Sequence, residues 1–328
     1  MAQTTILLAR QAIADHLDMA SAVAAIERAM AEFERGHDFL PPKAVYQLPL
    51  PNAWAACITG YTQASQLLTM KVGQERTGNL GRNLPTTASW ILAFDPDTGE
   101  LLMICDGTLP TMVRTAAAAA VAIRQLARRD AETLAVVGAG QLGRQCMHAA
   151  LAVRPFKRVL LHDASTAAAE LAATELSPKI GIAIEPSDAQ TACSQADVIV
   201  TATNSRTPIV HSAWVRPGTH LSCMGADLHE KIECEPALLS RCRLWADQVE
   251  HCLQRGEASQ AIAQGSLPRD CYIGTLGQLI NGDVQGRTDS QQITMFDGVG
   301  IGIQDTTVVR TIYDQAIAKN LGSTVAFA

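Results

Sequence analysis

Three glycines, Gly138, Gly140 and Gly143, follow a short apolar run and precede residues with helical spacing. In a strand–turn–helix unit, the first glycine makes the tight turn and the second lets the backbone approach a pyrophosphate. The third lets the helix pack closely on the strand. The helix N-terminus, here Gln141 and Leu142, offers backbone N–H groups and a partial positive charge to phosphates. This spacing predicts a dinucleotide-binding site.

The type of dinucleotide is indicated by Asp163, which lies 25 residues after Gly138 at the end of the next apolar run. A carboxylate at this place can accept hydrogen bonds from both ribose hydroxyls, but it repels a 2′-phosphate. The segment 164–166 that follows contains no Arg to offset this charge. The sequence therefore favours NAD(H), with NADP(H) as the alternative.

Three further residues have side chains that can act on a small substrate. Asp227 follows the apolar run THLSCMG, which places it at the carboxyl edge of a parallel sheet, where ligands of open α/β sheets bind. Lys71 lies in an otherwise apolar strand, and Arg114 lies at the start of a helix rich in small residues. From spacing alone, Asp227 also fits a solvated loop acid, and the two cations fit ordinary surface charges.

The sequence pattern in the first third of the chain predicts an α+β region. Residues 12–35 have helical spacing and contain Asp18 as a candidate N-cap. From residue 39 to 104, prolines and glycines punctuate short apolar runs, and DPDTG at 95–99 predicts the turn of a hairpin. We therefore expect an antiparallel or mixed sheet in this region.

A different pattern begins after Thr115, which is expected to cap a long Ala-rich helix. From residue 119 to about 300, short apolar runs alternate with helical segments, which is typical of parallel strands joined by helices. The fold class predicted is α/β, with a Rossmann-type doubly wound parallel sheet. The helical segment after Gly298 can pack on either domain.

Composition excludes several classes of protein. The 328 residues carry 26 Lys and Arg against 32 Asp and Glu, a net charge of −6, so a nucleic-acid partner is not expected. The nine cysteines never form a CxxC pair, which predicts reduced thiols and no metal site. No stretch reaches the roughly 18 apolar residues of a membrane span, and no signal peptide fits. The sequence predicts a cytoplasmic protein with no membrane partner.

Several motifs, in one order along nearly the whole chain, resemble the ornithine cyclodeaminase/mu-crystallin family. They are Lys71 in MKV, LPT at 84–86, FDPDTGELL at 94–102, DGT and VRTAAA within 106–119, VVGAG at 136–140, ADVIVTAT at 196–203, MGAD at 224–227 and FDGVGIGIQD at 296–305. The resemblance implies a homodimer. It also implies a discontinuous substrate-binding and dimerisation domain, residues 1–118 with 306–328, beside a Rossmann domain at 119–305.

The same resemblance implies roles for individual residues. Asp227 and Lys71 are the catalytic residues, with Asp227 as the acid/base at the reacting nitrogen. Lys71 and Arg114 clamp the substrate carboxylate, together with Lys43, which stands where the family usually has an Arg. Gly298 stands where family members often have Ser. The cofactor contacts implied, beyond the glycine turn and Asp163, are Thr86, Arg114, Thr203, Met224, Gly225, Lys231 and Gly298.

Hydride transfer between a nicotinamide and the α-carbon of an amino or imino acid is the chemistry that the resemblance implies. A cyclodeaminase must also hold a second ammonium, but no Asp or Glu occurs between Phe39 and Gln74. This favours reduction of a carboxylated imine, such as 1-pyrroline-2-carboxylate, or an amino-acid dehydrogenase. Arg76 and Arg82 either serve a second carboxylate, as in iminosuccinate, or are solvated loop charges.

Two alternatives stay open. A redox-neutral ornithine or lysine cyclodeaminase is the first, and an acid reaching the site from elsewhere in the chain would favour it. A non-catalytic mu-crystallin-like binding protein is the second. The joint presence of Lys71, Arg114 and Asp227 argues against that second alternative.

Overall fold

The computed structural model describes residues 4–51, 53–82 and 84–326. The chain divides into two compact units. The first unit combines Met1–Arg114 with Ile301–Ala328, and the second is Thr115–Gly300. The boundaries expected from the sequence, 118/119 and 305/306, fall a few residues further along the chain, so residues 301–305 lie in the first unit.

The elements follow one another in chain order. The strands are β1 (Thr4–Leu8), β2 (Ala44–Gln47), β3 (Ala53–Thr62), β4 (Leu67–Arg76), β5 (Thr87–Phe94), β6 (Leu101–Asp106), β7 (Thr133–Val137), β8 (Arg158–His162), β9 (Ile184–Pro186), β10 (Val198–Thr201), β11 (His220–Cys223), β12 (Cys242–Ala246), β13 (Tyr272–Thr275), β14 (Ile293–Asp297) and β15 (Ser323–Ala326). The helices are α1 (Arg10–Ala14), α2 (Met19–Phe33), α3 (Thr108–Leu126), α4 (Gln141–Val153), α5 (Thr166–Ile180), α6 (Ala189–Gln195), α7 (Pro236–Leu239), α8 (Val249–Arg255), α9 (Ser259–Ala263), α10 (Leu276–Asn281) and α11 (Gly302–Lys319).

The first unit contains a mixed sheet in the order β15-β1-β6-β5-β4-β3-β2. Strands β1 and β6 are parallel, and the other neighbours are antiparallel. The hairpin predicted at DPDTG joins β5 to β6. Its turn forms because the Asp95 carboxylate accepts hydrogen bonds from the N–H groups of Asp97 and Thr98, while Gly99 adopts a φ of +74°.

The beginning of the chain differs from the sequence prediction. The predicted helix at 12–35 is two helices, because Asp18 caps α2 by accepting a hydrogen bond from the N–H of Ser21. Helix α3 starts at Thr108, so Thr115 lies inside it and is not its cap. The cap comes from the Asp106 carboxylate, which accepts from the N–H of Leu109. Strand β1 was not predicted.

The second unit contains a parallel sheet in the order β13-β12-β14-β11-β10-β7-β8-β9, as the alternating pattern predicted. Every pair of neighbouring strands in it is parallel. The chain runs outward from β7 through β8 to β9 and then returns to place β10 on the other side of β7. This reversal of strand order is the place where doubly wound sheets bind their ligands.

Some features are absent from residues 4–51, 53–82 and 84–326. None of their helices is long and apolar enough to cross a membrane. No group of three or more His, Cys, Asp or Glu side chains in the same residues is arranged to hold a metal ion. The nine cysteines are all free thiols, and most of them are buried.

Candidate active site

The glycine turn after β7 has the backbone geometry that a dinucleotide fingerprint requires. Gly138 adopts a φ of +115°, and a Cβ atom there would lie 2.6 Å from the carbonyl oxygen of Ala202. A Cβ atom at Gly143 would overlap the carbonyl oxygen of Gly138. These two positions therefore accept only glycine, one because of the turn and the other because the helix packs closely on the strand.

Gly140 serves a different purpose, because it is the N-cap of the 13-residue helix α4. A Cβ atom at Gly140 would meet no heavy atom within 4 Å, so this glycine is not required by packing. It leaves open space in front of the helix N-terminus, where Gln141, Leu142 and Gly143 form the first turn. A pyrophosphate can approach a glycine backbone at a helix N-terminus, where free N–H groups can bind it. The residues present therefore fit a dinucleotide.

Asp163 lies beside this turn, at the end of β8. One of its carboxylate oxygens accepts a hydrogen bond of 2.8 Å from the N–H of Ala139, and the other accepts one of 2.9 Å from the N–H of Ser165. Each carboxylate oxygen has a second lone pair. The side chain thus holds the glycine turn and retains acceptor capacity for a ribose hydroxyl.

Asp227 lies in the loop that follows β11. Its side chain is 48% exposed, and its Oδ1 atom lies 2.9 Å from Nζ of the buried Lys231. The same ammonium donates to Oδ1 of Asn204 at 3.1 Å. Lys231 therefore fixes the direction of a carboxylate that remains open to solvent, which is what a proton-exchanging group needs.

Met224 and Gly298 lie at the carboxyl ends of the neighbouring strands β11 and β14. The N–H of Gly298 donates to the carbonyl oxygen of Cys223 at 3.0 Å. A Cβ atom at Gly298 would lie 2.5 Å from Cε of Met224. The end of the Met224 side chain thus lies directly beside Gly298.

Two buried carboxylates of the second unit, Glu233 and Glu257, were missed by the sequence analysis. Glu233 is fully buried and accepts hydrogen bonds from Thr201, Thr203 and Gly225. Burial raises the pKa of both carboxyl groups, and the negative charge of Glu233 raises that of Glu257 further. Nothing in the sequences around them, HEKIECE at 229–235 and RGEAS at 255–259, separates these acids from solvated ones.

In the first unit, Lys71 and Arg114 share one carboxylate, that of Asp305. The Nζ atom of Lys71 lies 2.6 Å from Oδ2 of Asp305, and Nε of Arg114 lies 3.0 Å from Oδ1. The three side chains are at most 6% exposed. Arg114 also donates to Oε1 of Gln304 at 3.1 Å. The two cations predicted as a clamp are therefore brought together and fixed.

Asp305 reaches this position because helix α11 begins against the sheet. Gly60 and Gly302 make a close backbone contact, since a Cβ atom at Gly60 would lie 2.6 Å from the carbonyl oxygen of Gly302. The Thr306 hydroxyl bonds to that of Thr69 at 2.7 Å. Asp305 lies in the first turn of the helix, where a negative charge is stabilised by the helix dipole.

The cluster has strongly shifted ionisation. Burial lowers the pKa of Lys71 to about 7, although Asp305 favours the ammonium form, and the positive charges of Arg114 and Lys43 lower it further. Burial alone would raise the pKa of Asp305, but Arg114 and Lys71 outweigh it, so the pKa is lowered. Asp305 is therefore the ionised member, and Lys71 titrates near neutral pH.

The remaining predicted residues of the first unit are Lys43 and Thr86. Ala44 pairs with Cys57 and Ile58 pairs with Lys71, so Lys43, one residue before β2, continues the row of Ile58 and Lys71. Thr86 directly precedes β5, and its carbonyl oxygen accepts a hydrogen bond from the N–H of Arg76 at the end of β4. The other predicted site residues lie in the second unit.

An acid from elsewhere in the chain reaches the two cations predicted as a clamp. The stretch 39–74 contains no acid, but Asp305 arrives from the C-terminal helix and offsets one of the two clamping charges. The Arg76 guanidinium donates to the carbonyl oxygens of Trp54 and Glu75, so it stabilises the sheet backbone. The signal that was overlooked is an acid in the first helical turn after a glycine-rich segment.

Comparison with known proteins identifies the family to which the chain belongs. The chain matches the Ornithine cyclodeaminase/mu-crystallin family model over residues 3–320. It is 33% identical to the iminosuccinate reductase of Paracoccus denitrificans (strain Pd 1222) over 98% of this chain and 99% of that protein. The Thermococcus litoralis Δ1-pyrroline-2-carboxylate reductase in complex with NADH and L-proline has a TM-score of 0.96 and 28% identity, covering 98% of this chain and 100% of that one. An archaeal alanine dehydrogenase dimer with bound NAD has a TM-score of 0.94 and 29% identity, covering 99% and 100%. The chain therefore belongs to the ornithine cyclodeaminase/mu-crystallin family.

Proposed function

We propose that this protein is an NAD(H)-dependent oxidoreductase that transfers a hydride between the nicotinamide and the α-carbon of a carboxylated imine or amino acid. The observation that carries the proposal is the buried cluster in which Lys71 and Arg114 share the single carboxylate of Asp305. Where Lys71 carries its charge, one positive charge of this cluster is not balanced by Asp305. A buried uncompensated charge is costly unless an anion pairs with it, and the α-carboxylate of the substrate is such an anion.

Lys71 and Arg114 orient the substrate in this proposal. Both are held on Asp305, so their donors do not have to be ordered when the carboxylate binds. Fixing the carboxylate fixes the attached α-carbon, which is the atom that changes oxidation state. Orientation of this kind lowers the barrier of a two-component reaction by removing part of its entropy cost.

Asp227 exchanges a proton with the substrate nitrogen. A reduced imine nitrogen gains a proton, and an oxidised amine nitrogen loses one, so the same carboxyl group serves either direction. Lys231 holds the carboxylate at 2.9 Å while leaving the side chain 48% exposed. A dinucleotide held at the glycine turn would supply the hydride for reduction of an imine, or accept it from an amine.

A redox-neutral cyclodeaminase is the less favoured function. It needs an acid beside the terminal ammonium of its substrate, and Asp305 is the acid that the fold brings to the clamp. Both carboxylate oxygens of Asp305 are already paired with the clamping cations. Using it for a third cation would release Lys71 or Arg114, so Asp305 does not supply the missing group.

One assay separates the three functions considered. The purified protein is incubated with NADH and a panel of ketimines, including 1-pyrroline-2-carboxylate and iminosuccinate. It is also incubated with ornithine or lysine and catalytic NAD. Consumption of NADH supports the reductase, and release of ammonia without net redox change supports the cyclodeaminase. If neither NADH consumption nor ammonia release is observed, the result supports a non-catalytic binding protein.

NADH should be used more efficiently than NADPH, because a 2′-phosphate would approach the carboxylate of Asp163. We expect kcat/KM to be about tenfold lower with NADPH. Saturation curves with the two cofactors at one imine concentration measure this ratio. The substitution Asp163→Ser should bring the ratio of the two kcat/KM values closer to one. A wild-type preference for NADPH would contradict the assignment of NAD(H) as the cofactor.

Use of a carboxylated substrate should depend on the charge of Lys71. The pKa of this ammonium is lowered to about 7, so Lys71 is charged below that pH and loses its charge above it. We expect kcat/KM, which reports the free enzyme, to fall as the pH rises through about 7. Lys71→Arg keeps its charge throughout this range, so its profile should lack this fall. The same descent in both proteins would assign it to another group.

We also infer a homodimer formed through the exposed face of the first unit's sheet. Met70, Val72 and Trp90 lie on the face opposite to Lys71 and are 38%, 46% and 49% exposed. An apolar sheet face of this kind is typical of a protein interface, and the related alanine dehydrogenase is a dimer. Light scattering should give twice the mass of one chain, and Trp90→Lys should shift it to the monomer.

A cytoplasmic location fits the same proposal, because nine free cysteines require a reducing compartment to remain thiols. The use of NAD(H) as a freely exchanging cofactor fits the same compartment. Cell fractionation with an antibody to the chain tests this inference.

A further inference from the structure

The loop that carries Asp227 and Lys231 closes on itself at its base. It leaves the sheet at Cys223 and ends at Cys234, which forms an isolated β-bridge with Val210, and the sulfur atoms of these two buried cysteines are 3.7 Å apart. One carboxylate oxygen of Glu233, Oε2, accepts a hydrogen bond of 2.9 Å from the N–H of Gly225. The two ends of the segment 224–233 are therefore joined directly.

Glu233 also joins this base to the end of strand β10. Its Oε2 atom accepts a second hydrogen bond, of 2.6 Å, from the Thr201 hydroxyl. Its Oε1 atom accepts from the N–H of Thr203 at 2.7 Å and from the Thr203 hydroxyl at 2.8 Å. Each oxygen thus accepts two hydrogen bonds, and neither oxygen donates one. This pattern is that of an ionised carboxylate, because a protonated carboxyl group has an O–H that donates.

The backbone of Glu233 is held by a second buried carboxylate, that of Glu257. The N–H groups of Glu233 and Cys234 both donate to Oε1 of Glu257, at 2.9 and 2.5 Å. Glu233 and Glu257 are at most 1% exposed. A side chain with a fixed backbone and four hydrogen bonds has one orientation, so it can transmit that orientation to the loop.

We propose that Glu233 is a positioning residue, whose carboxylate ties the base of the loop 224–233 to the end of β10 and thereby sets the placement of Asp227. This inference rests on the proposed function, in which Asp227 exchanges a proton with the substrate nitrogen. The side-chain hydrogen bonds of Glu233 described above go to Thr201, Thr203 and Gly225. It acts through the backbone of Gly225, two residues before Asp227.

Glu233→Gln is the informative substitution, because it keeps the shape and removes acceptor capacity. Its amide NH2 group must replace one of the two oxygens. In one orientation that group faces the N–H of Gly225, and in the other it faces the N–H of Thr203. A backbone N–H cannot accept a hydrogen bond, so either orientation leaves a buried donor without a partner.

We expect kcat of Glu233→Gln to fall about tenfold or more, because small displacements of a catalytic group have effects of this size. The KM for a carboxylated imine should stay within about twofold, since the carboxylate clamp belongs to the first unit. Hydrogen–deuterium exchange should rise in the peptides of 222–234. The matched control is Glu235→Gln, two residues on, where the amide oxygen can still accept from the N–H of Ser212. The control should keep the wild-type kcat and exchange.

Three outcomes decide the matter. If Glu233→Gln has the wild-type kcat and the wild-type hydrogen–deuterium exchange, the proposal is overturned. It is also overturned if kcat and KM change together and the loss of activity follows a fall in melting temperature. If Glu233→Gln does not fold, Thr201→Val removes one hydroxyl donor, and we expect about a threefold lower kcat; no change would refute the role. If the wild-type protein reduces no imine, the proposed function fails, and the exchange of 222–234 still decides whether Glu233 holds the loop.

Discussion

Asp227→Asn should lower turnover about a hundredfold or more, because it removes the group that we propose to exchange a proton with the substrate nitrogen. The substitution hardly changes shape. Lys231 keeps its hydrogen bond to Asn204, so the loop retains a polar anchor. We therefore expect the affinity for NADH and the melting temperature to stay close to those of the wild type.

The experiment compares steady-state kcat with NADH binding followed by fluorescence. Glu230→Gln is the matched control, because it makes the same chemical change in the same loop. The Glu230 side chain lies on the surface, 3.7 Å from Arg206, and an exposed pair of this kind contributes little to stability. An Asp227→Asn enzyme with wild-type turnover would remove Asp227 from the mechanism.

The glycine turn was predictable because all of its physics is local. Gly138, Gly140 and Gly143 lie within six residues of one another, between a strand and a helix that are each visible in the apolar pattern. The structure adds the reason for each glycine, and it separates the two that packing requires from Gly140, which leaves open space.

Asp305 was not predictable as a partner of Lys71, because the two residues are 234 positions apart. Their contact depends on the docking of α11 on the sheet through Gly60 and Gly302. Neither glycine has a local signature that specifies this contact. The resemblance to a family drew attention to Lys71 and Arg114, but the charge that binds them together came only from the fold.

Glu233 illustrates a second limit of prediction from the sequence. Acids are normally exposed, and the sequence around Glu233 contains two further acids within five residues. Burial of this acid depends on Thr201, Thr203 and Gly225 supplying four donors from other strands and loops. Spacing along the chain carries no information on such a set, so a buried carboxylate cannot be separated from a solvated one.

Capping shows a limit at shorter range. Thr115 and Thr108 are both reasonable helix starts by residue type. The choice of Thr108 depends on Asp106, which ends a strand and at the same time accepts from the N–H of Leu109. Because the strand decides where the Asp106 carboxylate lies, the start of α3 follows from tertiary structure and not from the cap residue alone.

Asp305→Asn should destabilise the protein by about 3–5 kcal/mol at neutral pH, because it leaves the buried Arg114 guanidinium without its anion and removes the charge that favours the ammonium form of Lys71. The pKa of Asp305 is lowered in the folded protein. Its contribution to stability is therefore complete above the ordinary value of 3.8 and is lost as the pH falls through the folded value. The difference between wild type and variant should accordingly shrink in acid.

Urea unfolding of the two proteins between neutral and acid pH measures this difference. The matched control is Asp314→Asn on the same helix, since Asp314 pairs with Arg310 on the surface with its side chain 54% exposed. The control should change stability by less than about 0.5 kcal/mol. Adding Lys71→Met to Asp305→Asn replaces a buried amine that has lost its partner with an apolar side chain, so the double variant should be more stable than Asp305→Asn alone. A double variant that is less stable than the single one would mean that Lys71 does not depend on Asp305, and the charge of the clamp would then need another source of compensation.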